Sequence, residues 1–370
     1  MIVTKLDTNI CKNKQGKVDA IIYLNNYELI DKLCNRASVV KEYPFINAIG
    51  VTGDYNNITT LTYLPYVDYI CSVSKVYALD NTMAKASYSS KEKDNIEIYN
   101  YAKIVNNFFY DYAIDAKPVT VAVLDTGVSR HIDLCSIDNR IIKSVDLENK
   151  EINAYDDNGH GTFVAGIVAG NGIASAKKIT GVCPKANIVS VKIMNEKGES
   201  TVFQVLDGMQ WIMDNKDKYG IKVVCMSFGA LPLLKNDPLV KGVNALVDGG
   251  ISVVCASGNS GENTFMSPAI SNKVISVGAV DGDLKIADFT SRGKYQNKTY
   301  PDLYAKGVEI EGLSNTHTYV MMSGTSVACP VVAGFIALMY LDNPDLSPKD
   351  VKDNLTRYCK IENNYLVLDL

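Results

Sequence analysis

Between residues 119 and 280 the chain alternates short, almost continuous apolar runs with longer stretches of helical spacing. The apolar runs fall at 119–124, 188–193, 221–227, 251–257 and 274–280. The intervening stretches 162–169, 201–215 and Pro238–Asp248 carry apolar residues at a period that predicts helices. Runs apolar on both faces, separated by helices, indicate a parallel sheet covered on both sides. In such sheets functional side chains gather at the carboxyl ends of the strands. A further apolar run, 331–341, predicts a buried helix opened by Gly324-Thr325-Ser326-Val327-Ala328-Cys329-Pro330, with Pro330 in its first turn.

The N-terminal part reads differently. Residues 1–79 form a small α+β unit: a strand at Val18–Leu24, a helix over 27–36, then β-rich segments at 46–51, 58–63 and 67–77. Residues 80–95 are small and polar, as expected of an exposed linker open to proteolysis. From there to residue 370 runs the larger domain, whose first helix is expected over 96–114, with Ile98, Tyr101, Ala102, Val105, Phe108, Phe109 and Tyr112 on one face.

Composition narrows the classes. A chain of 370 residues that is 47% hydrophobic can bury a sizeable core. A net charge of −4 gives no reason to expect nucleic acid. No uninterrupted apolar run approaches a membrane span, so no membrane partner is expected. The first residues lack a basic, apolar and small-residue leader. The cysteines number nine, an odd count with no Cys-x-x-Cys pair, and Cys183, Cys225, Cys255 and Cys329 sit inside apolar runs. Reduced, buried thiols and a cytoplasmic location are the expectation. The three histidines, His131, His160 and His317, are not at metal-ligand spacing, which argues against zinc.

The chemistry lies at the strand ends. Asp125-Thr126-Gly127 closes the first buried run, Asn158-Gly159-His160-Gly161-Thr162 opens a helix, and Ser257-Gly258-Asn259-Ser260-Gly261 follows a later strand. Ser326 stands at the first turn of the last apolar helix, where unpaired backbone N–H groups and the helix dipole stabilise an anion. Taken singly, each has a plain structural explanation: a strand-end Asp, a turn Asn, an N-cap Ser. His131 and His317 read as packed or surface side chains, and Cys329 as a small core residue.

Together, in the order Asp, His, Asn, Ser, these segments resemble the subtilases, the subtilisin-like serine proteases. Asp125-Thr126-Gly127, His160-Gly161-Thr162-x-Val164-Ala165-Gly166 and Gly324-Thr325-Ser326-x-Ala328-x-Pro330 fit that family's three signatures, over roughly residues 100–370. The resemblance implies an α/β fold, a parallel sheet sandwiched by helices behind a small α+β propeptide domain. It implies Ser326 as nucleophile, His160 as base and then acid, Asp125 as the orienter of the imidazole, and Asn259 in the oxyanion hole. Ser227, Phe228 and Gly229 would pair with a substrate backbone, and Ala256, Ser257 and Gly258 would wall the specificity pocket with Met266 at its base. A shallow pocket suited to small or medium side chains is then expected.

Residues 18–78 resemble the family's propeptide, an intramolecular chaperone and inhibitor, with self-cleavage expected between residues 76 and 90. Phe163 and Val327 depart from the usual His and Met of the signatures without touching the reacting atoms. The stretch 171–178, where relatives hold structural calcium, offers Asn171 but two lysines and no carboxylate. Asp133 alone matches a calcium-ligand position, so no cofactor is expected to be required. The expected function is a serine endopeptidase made as a self-processing zymogen, acting on protein or peptide. The alternatives are a catalytically silent binding protein and a narrow processing protease held by its retained propeptide.

Overall fold

The computed structural model describes residues 5–7, 10, 17–34, 37–79, 118–153, 155–296 and 298–370. The proposed linker and the helix expected over 96–114 lie outside the described residues. The N-terminal unit is a four-stranded antiparallel sheet made of β1 (Val18–Leu24), β2 (Ser38–Tyr43), β3 (Ala48–Gly53) and β4 (Val67–Ser72), in the order β2-β3-β1-β4. Side chains alternate across a strand, and β1 uses both faces. Ala20, Ile22 and Leu24 pack into the unit's own core with Leu33, Ile49, Ile58 and Leu61. Ile21 and Tyr23 face the larger domain and join its core, together with Tyr43, Tyr69 and Cys71.

Three expectations for this unit need correction. Residues 58–63 are helical, not β: α2 (Tyr55–Thr60) runs into a 3-10 turn at Leu61–Tyr63. Ile58 and Leu61 are the buried residues, three apart, and Thr59, Thr60 and Thr62 each donate to the carbonyl three residues back. The β-branched threonines suggested a strand, but local hydrogen bonds and helical burial spacing prevail. The stretch 67–77 is two strands in two sheets, β4 and then β5 (Lys75–Ala78). The helix over 27–36 is a 3-10 turn, Tyr27–Leu29, followed by the short α1 (Asp31–Cys34). β2 went unpredicted because its outward residues are polar or exposed and leave no apolar run.

The larger domain is built on a nine-stranded sheet. Its strands are β6 (Thr120–Asp125), β7 (Ile141–Asp146), β8 (Asn187–Lys192), β10 (Ile221–Met226), β12 (Ser252–Ala256), β13 (Ile275–Val280), β16 (Leu303–Lys306), β19 (Lys360–Glu362) and β20 (Tyr365–Leu368). The order is β19-β20-β16-β13-β12-β10-β6-β8-β7, parallel throughout except at the β19 edge. β6 shows why these strands read as unbroken apolar runs. Val121 and Val123 face one core, and Ala122 and Leu124 face the other. The shorter strands are β9 (Glu199–Thr201), β11 (Phe228–Gly229), β14 (Gly293–Tyr295), β15 (Lys298–Tyr300), β17 (Ile310–Leu313) and β18 (Tyr319–Met322).

After the short α3 (Ile132–Cys135) come α4 (His160–Ala169), α5 (Val202–Tyr219), α6 (Pro238–Asp248), α7 (Thr325–Asp342) and α8 (Pro348–Leu355). Helices α4 and α7 share one core, and α5 and α6 share the other. α7 is apolar on every side because it is enclosed. By length and composition it could cross a membrane, yet 89% of it is buried in the protein. Pro330 lies inside α7 and not in its first turn.

Candidate active site

Four neighbouring strands, β12, β10, β6 and β8, end side by side. Asp125 is the last residue of β6, and His160 is the first of α4. His160 Nδ1 lies 2.7 Å from Asp125 Oδ1, and the same oxygen accepts from Thr126 N–H at 2.7 Å. Close approach of the two segments depends on glycine. A methyl group on Gly161 would lie 2.1 Å from the Gly127 carbonyl oxygen and 3.2 Å from Asp125 Oδ1.

Asp156 ties this corner together. Its carboxylate accepts from Thr126 Oγ1 at 2.9 Å, Gly159 N at 2.8 Å, Thr162 N at 2.9 Å and Thr162 Oγ1 at 2.7 Å. The carboxylate thus serves as a side-chain cap for α4, whose own N-cap, Gly159, has none to offer.

Ser326 sits one residue into α7, after the N-cap Gly324. Pro330 has no N–H, so it cannot donate to the carbonyl four residues back, that of Ser326. Ser227 repairs the loss, its hydroxyl donating to Ser326 O at 3.0 Å. Ser326 Oγ and Asp125 Oδ2 are buried and hydrogen-bond to nothing among the described residues.

Asn259, three residues past β12, is held by the same helix start. Its side-chain oxygen accepts from Thr325 N–H and Thr325 Oγ1, both at 2.9 Å. That fixes the amide so that Nδ2 points into the cleft, where it donates to the Leu79 carbonyl at 2.7 Å. A methyl group on Gly324 would lie 2.7 Å from Leu79 O, 3.0 Å from Ser326 Oγ and 3.1 Å from Asn259 Nδ2. One small volume therefore holds a carbonyl oxygen of the chain itself, a serine hydroxyl and an amide donor.

The segment that delivers Leu79 is β5, lying antiparallel between β11 and β9 in a three-stranded sheet. Phe228 pairs with Ala78 and Gly229 with Tyr77, and Leu79 N–H donates to Ser227 O at 3.2 Å. Val76 and Leu79 are buried, whereas Tyr77 is 45% exposed. A methyl on Gly229 would meet Met266 Cβ at 3.1 Å and Leu79 Cδ1 at 3.3 Å, so Met266 lies beside the leucine side chain. Gly258 has φ +115°, donates its N–H to Thr325 Oγ1 at 3.1 Å, and leaves no room for a side chain against Met266. Ser257 accepts from the Tyr300 hydroxyl, and Ala256 is buried at the end of β12.

The larger domain matches the model of the subtilase family over residues 116–364. The chain belongs to the subtilase family. It is 39% identical over 274 residues to serine protease AprX of Bacillus subtilis, an alignment covering 65% of this chain and 61% of AprX. Against subtilisin DY of Bacillus licheniformis the figures are 33% over 243 residues, 64% of this chain and 82% of that protein. The chain therefore spans less than two thirds of AprX. Among solved structures it resembles that of a cold-adapted subtilisin-like serine proteinase, with a TM-score of 0.60, 28% identity, and coverage of 70% of this chain and 91% of that one.

In this subtilase the remaining candidates fall away from the cleft chemistry. Asp133 is fully buried, and its carboxylate is taken up by Ala174 N–H and the Tyr319 hydroxyl, both at 2.7 Å. Lys177 donates to the Asn171 carbonyl at 2.7 Å. Oxygens already bonded to donors, beside an ammonium, do not fit a calcium ion. Among the described residues no cluster of His, Cys, Asp and Glu could hold a metal.

His131 caps α3 by accepting from Asp133 N–H at 3.1 Å, and burial pushes its imidazole below the usual range. Cys329 Sγ lies 3.7 Å from Cys225 Sγ, both thiols buried; burial pushes that of Cys225 far up. Sequence reasoning missed Asp156, Thr325 and Lys192, and narrowed the cleft's occupant no further than the stretch 76–90, within which Leu79 lies. Lys192, the one charge inside the apolar run 188–193, and the Asp156-Asp157 pair shortly before His160 were the available signals.

Proposed function

We propose that this protein is a serine endopeptidase that cuts peptide bonds through Asp125, His160 and Ser326. We further propose that its own first 79 residues form the propeptide, cut off after Leu79. The observation that carries the reading is the convergence of Leu79 O, Ser326 Oγ and Asn259 Nδ2 around one point beside Gly324. In the reaction Ser326 Oγ attacks the carbonyl carbon while His160 takes its proton. The 2.7 Å contact with Asp125 keeps the imidazole N–H at Nδ1, leaving the other ring nitrogen as base. The carbonyl oxygen becomes an oxyanion that the Asn259 amide, already aimed there, stabilises. His160 then protonates the departing amine, leaving an acyl group on Ser326, which water removes by the same steps in reverse.

The β5 segment supports the inhibitor reading. A strand paired on both sides and anchored by buried Val76 and Leu79 blocks the cleft by β-augmentation. By the same reasoning external substrates are protein or peptide segments with a medium aliphatic residue before the cut bond, calcium is not required, and the reduced cysteines suit a cytoplasmic setting. Intact mass of the purified chain, wild type beside Ser326→Ala, tests the proposal. Wild type should give two fragments divided after Leu79, and the variant one chain of 40.4 kDa. A wild type that stays whole and takes up no fluorophosphonate, even after a second protease has nicked the linker, would overturn it in favour of a silent binding protein.

A further inference from the structure

We infer that Lys192 is a positioning residue for the acid–base pair, one cation that joins the Asp125 turn to the His160 loop and sets the proton affinity of His160. This rests on the roles proposed above for Asp125, His160 and Ser326.

Lys192 closes β8 and lies in register beside Asp125 on β6. Its side chain is only 2% exposed, and the ammonium has three acceptors, each at 2.7 Å: Thr126 O, Met194 O and Asp157 Oδ1. An ammonium has three N–H donors, and all three are used. Each acceptor belongs to a different segment. Thr126 follows Asp125, Asp157 lies in the loop that leads into His160, and Met194 lies in the connection from β8 to β9, one of the two edges that grip β5. Tyr155 covers the cation, its ring centroid 5.1 Å away.

A buried ion pair is a poor choice for stability alone, since a well-packed apolar side chain of similar size does as well or better. What a hydrophobe cannot do is bond three separate segments at once. Asp156 closes the opposite side of the same corner through Thr126 Oγ1, and Gly127 and Asp156 form an isolated bridge between the two segments. The Asp125 turn is thus pinned to the His160 loop on one side by a carboxylate and on the other by an ammonium.

The charge also acts at a distance. His160 touches Asp125 from β6. The other ionisable groups of the segments that meet at this corner are Asp156 and Asp157 from the loop before α4, Lys192 from β8, Glu148 beyond β7 and Glu196 after β8, whose carbonyl accepts from Asn158. Burial pushes Glu148 upward against the pull of Lys192. On the other sides, β10 brings the Cys225 thiol, kept protonated by burial, and α7 carries no charged side chain before Asp342. The segment after β17 brings neutral Asn315 to Asp156 O, and beyond it His317 stacks towards His131. Among those groups Lys192 is the cation against several carboxylates. Removing it leaves Asp157 uncompensated and favours the imidazolium.

The test uses the full chain carrying Ser326→Ala, with ring-labelled histidine, so that His160 is titrated by NMR without turnover. Adding Lys192→Met should raise the His160 midpoint by roughly half a pH unit or more. Lys192→Arg should leave it in place, and Asp157→Asn should lower it. In the Ser326-containing chain, Lys192→Met should slow the first-order cut after Leu79 by about tenfold, a cost of misalignment, and Lys192→Arg should restore most of the rate. A folded Lys192→Met variant, checked by its melting transition, whose His160 midpoint and cutting rate match the parent overturns the inference. Should that variant fail to fold, an unchanged midpoint in Asp157→Asn overturns it instead. A wild-type chain that never cuts itself counts against the function proposed above, and the NMR comparison still decides the role of Lys192.

Discussion

At the scale of single residues, the cleft is governed by which carbonyls and amides find partners. Asn259 has its oxygen occupied twice by Thr325, so its Nδ2 has one orientation and one target, the carbonyl in the cleft. Asn259→Ala should slow the cut after Leu79 by roughly a hundredfold or more, as expected for losing one oxyanion donor. Fragment formation followed over time by mass measures this. Ser227 and Pro330 make a second, less obvious pair. Ser227→Ala would strand the buried Ser326 carbonyl and should cost about 1–3 kcal/mol of stability, read as a lower thermal midpoint in the Ser326→Ala background. Restoring the helix bond with Pro330→Ala should recover part of that loss. The residues proposed to react stand out in the sequence because flanking glycines there answer to backbone geometry: Gly127 and Gly161 in contact, Gly159 with φ +110° before His160. Asp156, Thr325 and Lys192 do not, because their importance lies in hydrogen bonds to segments far along the chain, and no local spacing encodes those.

At the scale of elements, the five central strands of the larger domain's sheet, β6, β8, β10, β12 and β13, could be read from the sequence, whereas half-exposed β7 and the short β16, β19 and β20 could not. Continuous burial on both faces leaves a signal that needs no tertiary knowledge, and α6 matches its expected bounds, Pro238–Asp248. The N-terminal unit was harder. β2 shows mostly polar residues to water, and threonines in and after α2 imitate a strand. The division of 67–77 into β4 and β5 was invisible for another reason: β5 acquires its strand form from β9 and β11. Its hold on the cleft should depend on its two buried anchors. Val76→Asp should weaken the retained fragment, so that cut wild type elutes as one complex on gel filtration and the cut variant separates. A Leu79→Lys chain should be cut more slowly, because Met266 and Gly229 line the space that a lysine would have to enter.

At the scale of the whole molecule, two stability tests follow from charge. Both Asp133 oxygens already accept hydrogen bonds from the protein, so the melting temperature should be unmoved by a chelator or by added calcium. A fall of several degrees with chelator would show a site elsewhere. Asp302 is the opposite case, an anion well provided for. Burial pushes its carboxyl upward, but Lys352 and Lys298, with the Ser276 N–H, more than offset this and hold it below the usual range. A depressed carboxyl stabilises the fold above its unfolded value and loses that contribution as pH falls through the folded one. Asp302→Asn should therefore melt below wild type at neutral pH, with the gap narrowing below about pH 4. Melting curves across a pH series measure it.

The two-faced β1 strand has a consequence for what happens after a cut. Its Ala20, Ile22 and Leu24 row completes the small unit, but the Ile21 and Tyr23 row, with Tyr43, Tyr69 and Cys71, is finished only by the neighbour. Severed and set adrift, that unit would turn a greasy flank to water and court aggregation or digestion. If the cut proposed after Leu79 is made, the released unit is suited to a single use, because the face it leaves bare is completed only by the larger domain.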